Sequence, residues 1–76
     1  MIIDTPATAD SGNTIAITLA DYGITTVLGI HGYTHTTDGT VVVVEAPTTA
    51  VASGVLTITI GGTSANQRRV YEVFFI

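Results

Sequence analysis

The stretch Gly54-Val55-Leu56-Thr57-Ile58-Thr59-Ile60-Gly61-Gly62 decides the fold. Leu56, Ile58 and Ile60 fall on one side of an extended chain, and Val55, Thr57 and Thr59 on the other. That period of two is the signature of a half-buried strand. The glycines at both ends mark turns. Thr14-Ile15-Ala16-Ile17-Thr18-Leu19 repeats the pattern, with Ile15, Ile17 and Leu19 on one face. No window carries the i, i+3, i+4, i+7 spacing of an amphipathic helix, and Thr, Val, Ile and Gly dominate,.

Outward from these two strands the chain keeps the same character. Residues 2–13 hold Pro6, Ser11, Gly12 and two aspartates, and read as an extended arm or a short edge strand, then a turn at Asp10-Ser11-Gly12-Asn13,. Ala20-Asp21-Tyr22-Gly23 breaks the alternation, and a strand follows over about Ile24–His35. In it Leu28, Ile30 and Gly32 share one face, and Gly29, His31, Tyr33 and His35 the other. Its glycines signal a bulge or a close neighbouring backbone. Asp38-Gly39 supplies the positive φ angles of a tight hairpin turn. The returning Val41-Val42-Val43-Val44 does not alternate, which implies burial on both faces or one face against a partner,. Pro47 ends that strand. Residues 47–53 read as a connection, with Thr48–Ser53 the best helical stretch, one or two turns at most. The final strand, Arg69–Ile76, sets Tyr71, Val73 and Phe75 against Val70, Glu72, Phe74 and Ile76. The expected architecture is all-β: one domain over residues 1–76, a small antiparallel β-sandwich or partly open barrel of five or six short strands, with residues 1–12 as a candidate arm,.

Composition narrows the function. Small cores are marginal and are usually reinforced by disulfides, a metal or oligomerisation. The 76 residues contain no cysteine, and only His31 and His35 offer nitrogen ligands. Four positions apart on a strand, they stand about 13 Å from each other, far beyond a shared metal's reach. Oligomerisation is the reinforcement left. With 46% hydrophobic and 11% charged residues, the surface carries less charge than the ~25–35% usual for a small domain. Apolar or threonine surface is therefore expected to be covered by partners.

The net charge is −4, with Arg68 and Arg69 the only basic residues. Binding to phosphate backbones or anionic membranes needs clustered Lys and Arg, so neither nucleic acid nor membrane is an expected partner. No signal peptide or membrane-spanning helix is expected from the sequence. Catalysis is not expected either. Ser11, Ser53 and Ser64 lie in predicted turns with no base beside them, and Gly-x-Ser-x-Gly is absent,. The acids sit mostly at strand ends and turns, where Asp bonds local backbone. Gly61-Gly62-Thr63-Ser64 lacks the Gly-Lys-Ser/Thr ending of a phosphate loop and reads as a hairpin loop,. No cofactor is implied.

Three stretches carry a resemblance: Thr18-Leu19-Ala20-Asp21-Tyr22-Gly23-Ile24-Thr25, Glu45-Ala46-Pro47-Thr48-Thr49 and Gly54–Gly62. In their short Thr-, Val-, Ala- and Gly-rich strands the chain resembles small all-β structural proteins of tailed bacteriophages, in particular capsid decoration (cement) proteins. The resemblance implies a virion protein on the capsid surface, a trimer or dimer, bridging copies of the major capsid protein or another virion protein. It carries over no catalytic residue. The chain is shorter than the well-known trimeric type. The alternatives are another phage head or tail/fibre subunit, or a non-catalytic carbohydrate- or protein-binding module built on Tyr33, His31 and His35. The candidate partner contacts are Ile2, Ile3, His31, Tyr33, His35, Arg68, Arg69, Phe74, Phe75 and Ile76. Both ends are apolar, and an uncovered terminal strand there would invite aggregation.

Overall fold

The two alternating stretches pair with each other. In the computed structural model, which describes residues 1–5, 10–35, 41–62 and 67–76, β2 (Thr14–Thr18) runs antiparallel to β6 (Val55–Thr59) with Ile17 opposite Leu56 and Ile15 opposite Ile58. β5 (Thr48–Ala52) flanks β6 on its other side, completing a three-stranded sheet of order β2-β6-β5. The second sheet has four strands in the order β1-β7-β3-β4: β1 is Ile2–Asp4, β7 Arg69–Phe75, β3 Val27–His35 and β4 Val42–Val44. Every pairing is antiparallel. The two open sheets are compatible with the expected small sandwich and do not close into a barrel.

The core lies where the alternation put it. Ile17, Leu19, Leu56, Ile58 and Ile60 meet Ile24 and, from β7, Tyr71 and Val73. Met1, Ile3, Ile15, Val27 and Ile30 pack around them. Burying each of the larger apolar side chains contributes about 1.5–3 kcal/mol. Thr14, Ala16 and Thr18 are exposed, as their parity requires. Val55, Thr57 and Thr59 are half-buried, because β6 has a neighbour on either side.

Seven strands stand among the described residues, against the five or six expected. The additional one is β5, which corrects the reading of residues 47–53 as a connection with a helical turn. Ala52 pairs with Val55, leaving Ser53 and Gly54 as a two-residue turn. Both have positive φ, 51° and 75°, the requirement of a type I′ hairpin. Pairing with β6 outweighs the weak strand preference of Ala50 and Ala52,. The interruption after β2 is a short 3₁₀ turn, Leu19–Tyr22, closed by Gly23 in the left-handed region.

β3 begins later than expected, at Val27. Its two interior glycines serve different ends. The register shifts between Val27 and Gly29, and this bulge turns Leu28 out to solvent, away from the face it was expected to share with Ile30 and Gly32. Gly32 is a close approach. A Cβ there would run into the Glu45 carbonyl oxygen and lie 2.8 Å from the Tyr71 ring. β3 and β4 pair antiparallel as a hairpin's arms should, with Tyr33 opposite Val44 and His35 opposite Val42. The Asp38-Gly39 turn and the loop 63–66 lie outside the described residues.

The ends are tied into the sheet. Ile2–Asp4 is an edge strand on β7, and Thr5 N–H donates to the Arg69 carbonyl at 2.9 Å. The rest of the candidate arm contains the expected turn, with Asn13 N–H donating to Asp10 O. Ile76 is held by its main chain, exchanging hydrogen bonds with Thr26 and accepting one from Thr25. Among the described residues no helix is long and apolar enough to cross a membrane.

Candidate functional site

β7 alternates, and its inward side carries an unexpected residue. Arg69 shares the parity of Tyr71 and Val73, so its guanidinium enters the interior. Its side chain is wholly buried and its Nε donates to Glu45 Oε1 at 3.0 Å, the carboxylate being 11% exposed. Nη1 donates to the Gln67 carbonyl at 3.0 Å, and the backbone N–H donates to Thr5 Oγ1 at 2.8 Å. Beside it Thr34, also buried, donates to Gln67 Oε1. Glu45 lies in the link between β4 and β5, and two glycines let that link pass close to its neighbours. A Cβ on Gly61 would meet the Ala46 carbonyl, and one on Gly62 the Glu45 carboxylate. The ion pair thus clamps the crossover between the two sheets. Arg69 is corrected from a candidate partner contact to this internal role.

Tyr71 lies next to the clamp, fully buried, and its hydroxyl finds no hydrogen-bond partner among the described residues. Burial pushes its pKa upward. The Glu45 carboxylate adds to the rise and Arg69 opposes it.

The outward side of the four-stranded sheet holds most of the other candidates. Ile2, Glu72 and His31 lie across from one another in register, as do Asp4, Val70, Tyr33 and Val44. His31 is exposed and meets Phe74 edge to face, with ring centroids 5.7 Å apart. Tyr33 and His35 are half-buried, and Ile2 and Phe74 are exposed. Arg68 is exposed and bidentate on Asp4, with Nε to Oδ1 at 2.7 Å. That hydrogen bond, helped by the positive charge, holds the Asp4 carboxyl below its ordinary range. Ile3 points inward, against the core. Phe75 and Ile76 are exposed near the start of β3, where Val27 pairs with Phe75, well away from Tyr33 and His35.

The candidates are therefore not one site. His31, Phe74, Ile2, Tyr33 and His35 share a face, while Arg69 and Ile3 are internal and Phe75 and Ile76 lie apart. Among the described residues no three His, Cys, Asp or Glu side chains cluster as metal ligands.

The candidate contact residues left out β4, although its valine run was read as buried or set against a partner. Val41, Val42, Val43 and Val44 are 50%, 56%, 46% and 74% exposed. They are buried on neither face within the fold, contrary to one of the two readings of the valine run. Sequence reasoning missed Glu45, whose only signal is a lone acid closing an apolar strand before proline. Arg69 was legible in principle, by counting in twos from Tyr71. Comparison with models of protein families, with curated proteins and with solved structures finds no match to this chain.

Proposed function

We propose that this chain is a non-catalytic structural subunit of a virion, a capsid decoration protein that stabilises the shell by packing across neighbouring capsid proteins. The observation that carries the reading is the uncovered apolar surface of the four-stranded sheet, above all the valines of β4. Val42 and Val44 lie on the outward side with Tyr33, His35, Ile2 and Phe74. Contiguous apolar surface on a small soluble protein marks contact with another protein or a membrane. The net charge of −4 and the scarcity of basic residues disfavour the anionic membrane,. Threonine-rich strands and the likeness to phage decoration proteins favour a virion lattice as the protein concerned.

The test is made on particles produced from the genome that carries this chain. Mass spectrometry of purified particles should find the chain in copy numbers comparable to the capsid protein. Particles lacking it should release their nucleic acid at a lower temperature, and adding the purified chain back should restore the parent's value. Absence from purified particles, or heads of equal stability without it, would overturn the reading.

A further inference from the structure

β4 ends its sheet, and no described strand pairs with its outer edge. Its hydrogen-bonding parity follows from one contact. Glu45 N–H donates to the Gly32 carbonyl at 2.9 Å, one register step beyond the Tyr33–Val44 pair. Residues of an antiparallel strand alternate in which neighbour their main-chain groups face. Glu45 and Val43 therefore face β3, and Val42 and Val44 turn their N–H and C=O groups outward. Among the described residues no strand meets these two donors and two acceptors, which lie on exposed valines.

The other edges are less apolar. β1 carries Asp4 clasped by Arg68. β2 presents Thr14, Ala16 and Thr18 to solvent, and β5 is built from two threonines, two alanines and one valine. β4 is all valine and has none of the charges, prolines or bulges that keep edges apart,.

We propose that β4 is a self-pairing edge: two copies of the chain join β4 to β4 antiparallel about a two-fold axis. The four-stranded sheets of the copies then continue as one sheet of eight. The argument for a second copy is self-complementarity. Centred on Val43, the two-fold pairing sets Val42 against the partner's Val44, and all four of these residues have outward main-chain groups. Each such pair exchanges two hydrogen bonds. Within β4 every cross-strand pair is then valine on valine, a favourable β-branched pairing. Charge does not oppose it. Glu45, the charged side chain adjoining the strand, is turned inward onto Arg69, so the net −4 is not concentrated at this edge. A charged partner would find nothing to pair with. The strand is short, and interfaces below about 1,200 Å² are weak or transient, so the dimer is weak and shifts with concentration.

The inference deepens the structural-subunit reading and is tested apart from it. Sedimentation equilibrium of the purified chain, from low micromolar to millimolar, should show the mass rise from 7.8 kDa towards twice that value. Over the same range the amides of Val42 and Val44 should gain protection from exchange, while Val43 stays protected throughout. Val44→Pro removes an outward N–H without touching the ladder to β3, and should stay monomeric with the parent's circular dichroism. Should that variant fail to fold, Val42→Glu and Val44→Lys serve in its place. Each should weaken association, and an equimolar mixture should restore it, since the new charges meet across the axis. A chain monomeric at millimolar concentration, or folded edge variants that dimerise as the parent does, would overturn the proposal. A solution dimer that is absent from particles would overturn the decoration reading alone.

Discussion

Replacing Glu45 by Leu should come close to unfolding the protein. The substitution takes away the carboxylate that balances the Arg69 guanidinium, whose side chain is wholly buried and whose Nε bond to Glu45 spans 3.0 Å, while Nη1 keeps the neutral Gln67 carbonyl. Removing one partner of a buried ion pair costs about 3–5 kcal/mol, because an uncompensated charge is left in the interior. At roughly 0.05–0.15 kcal/mol per residue, a chain of 76 residues has a total stability of about 4–11 kcal/mol. The single substitution thus removes about a quarter of the stability at the least. Urea unfolding followed by circular dichroism measures it. With a slope near 1 kcal/mol per molar, at the low end for small proteins, the midpoint falls by about 3 M or more. The double variant Glu45→Leu/Arg69→Met should recover most of that loss, because replacing a buried pair by apolar side chains is often neutral or stabilising. A single variant whose midpoint stays within about 0.5 M of the parent's would refute the clamp. A double variant as damaged as the single one would place the cost in the shape of the crossover and not in the stranded charge.

Gly32→Ala forces a methyl group against the Glu45 carbonyl, 2.8 Å from the Tyr71 ring and 3.0 Å from Pro47 Cδ. Overpacking of this kind costs about 1–3 kcal/mol, so the melting temperature should drop by roughly 5–20 °C. Gly29→Ala, with nothing within 4 Å of the new atom, is the control, and equal melting of the two would disprove the close approach. Tyr71→Phe removes a buried hydroxyl that has no described partner, and should raise stability at neutral pH by about 1 kcal/mol. The same variant should remove an alkaline loss of stability. The folded tyrosine's pKa is raised above its ordinary 10.0, so the unfolded chain releases its proton first. The parent's stability is therefore complete below that pH and declines as pH climbs through the folded value. Thermal melts between neutral and strongly alkaline pH check both statements, and a phenylalanine variant less stable than the parent at pH 7 would mean that the hydroxyl is bonded.

The legible parts of the fold are those where burial follows parity. Leu56, Ile58, Ile60, Ile17 and Leu19 announce their face because threonine or alanine separates them, and all five are core residues. β5 was illegible for the converse reason. Thr48, Thr49, Ala50, Val51 and Ala52 are exposed on an edge strand, where no alternation is imposed, and only Ser53-Gly54 hinted at a hairpin. A run of valines is ambiguous in principle: it looks the same whether it is sealed on both sides or bare, and here it is bare. The clamp could be read only halfway. Arg69 follows the inward parity of Tyr71, but its partner Glu45 lies 24 positions away, and no local pattern links them. Phe74, Phe75 and Ile76 were read as partner contacts from an apolar end of the chain; their side chains are exposed, and Ile76 is tied through its main chain, which no side-chain pattern could announce.

The sheet order β1-β7-β3-β4 has a consequence during synthesis. β7 is an interior strand and lies between the first strand and the third, yet residues 69–75 leave the ribosome after all its neighbours. The three-stranded sheet needs nothing beyond Thr59. The four-stranded one cannot begin to assemble beyond the β3–β4 hairpin until β7 arrives. Through that interval the emerging chain displays the valines of β4 with both faces and the outer edge unsupported, and Glu45 waits for an arginine not yet made. Long-range pairing of this kind is slow and leaves unpaired edges exposed to other nascent chains. Crowding of many copies on one messenger would bring those edges together before the fold is complete.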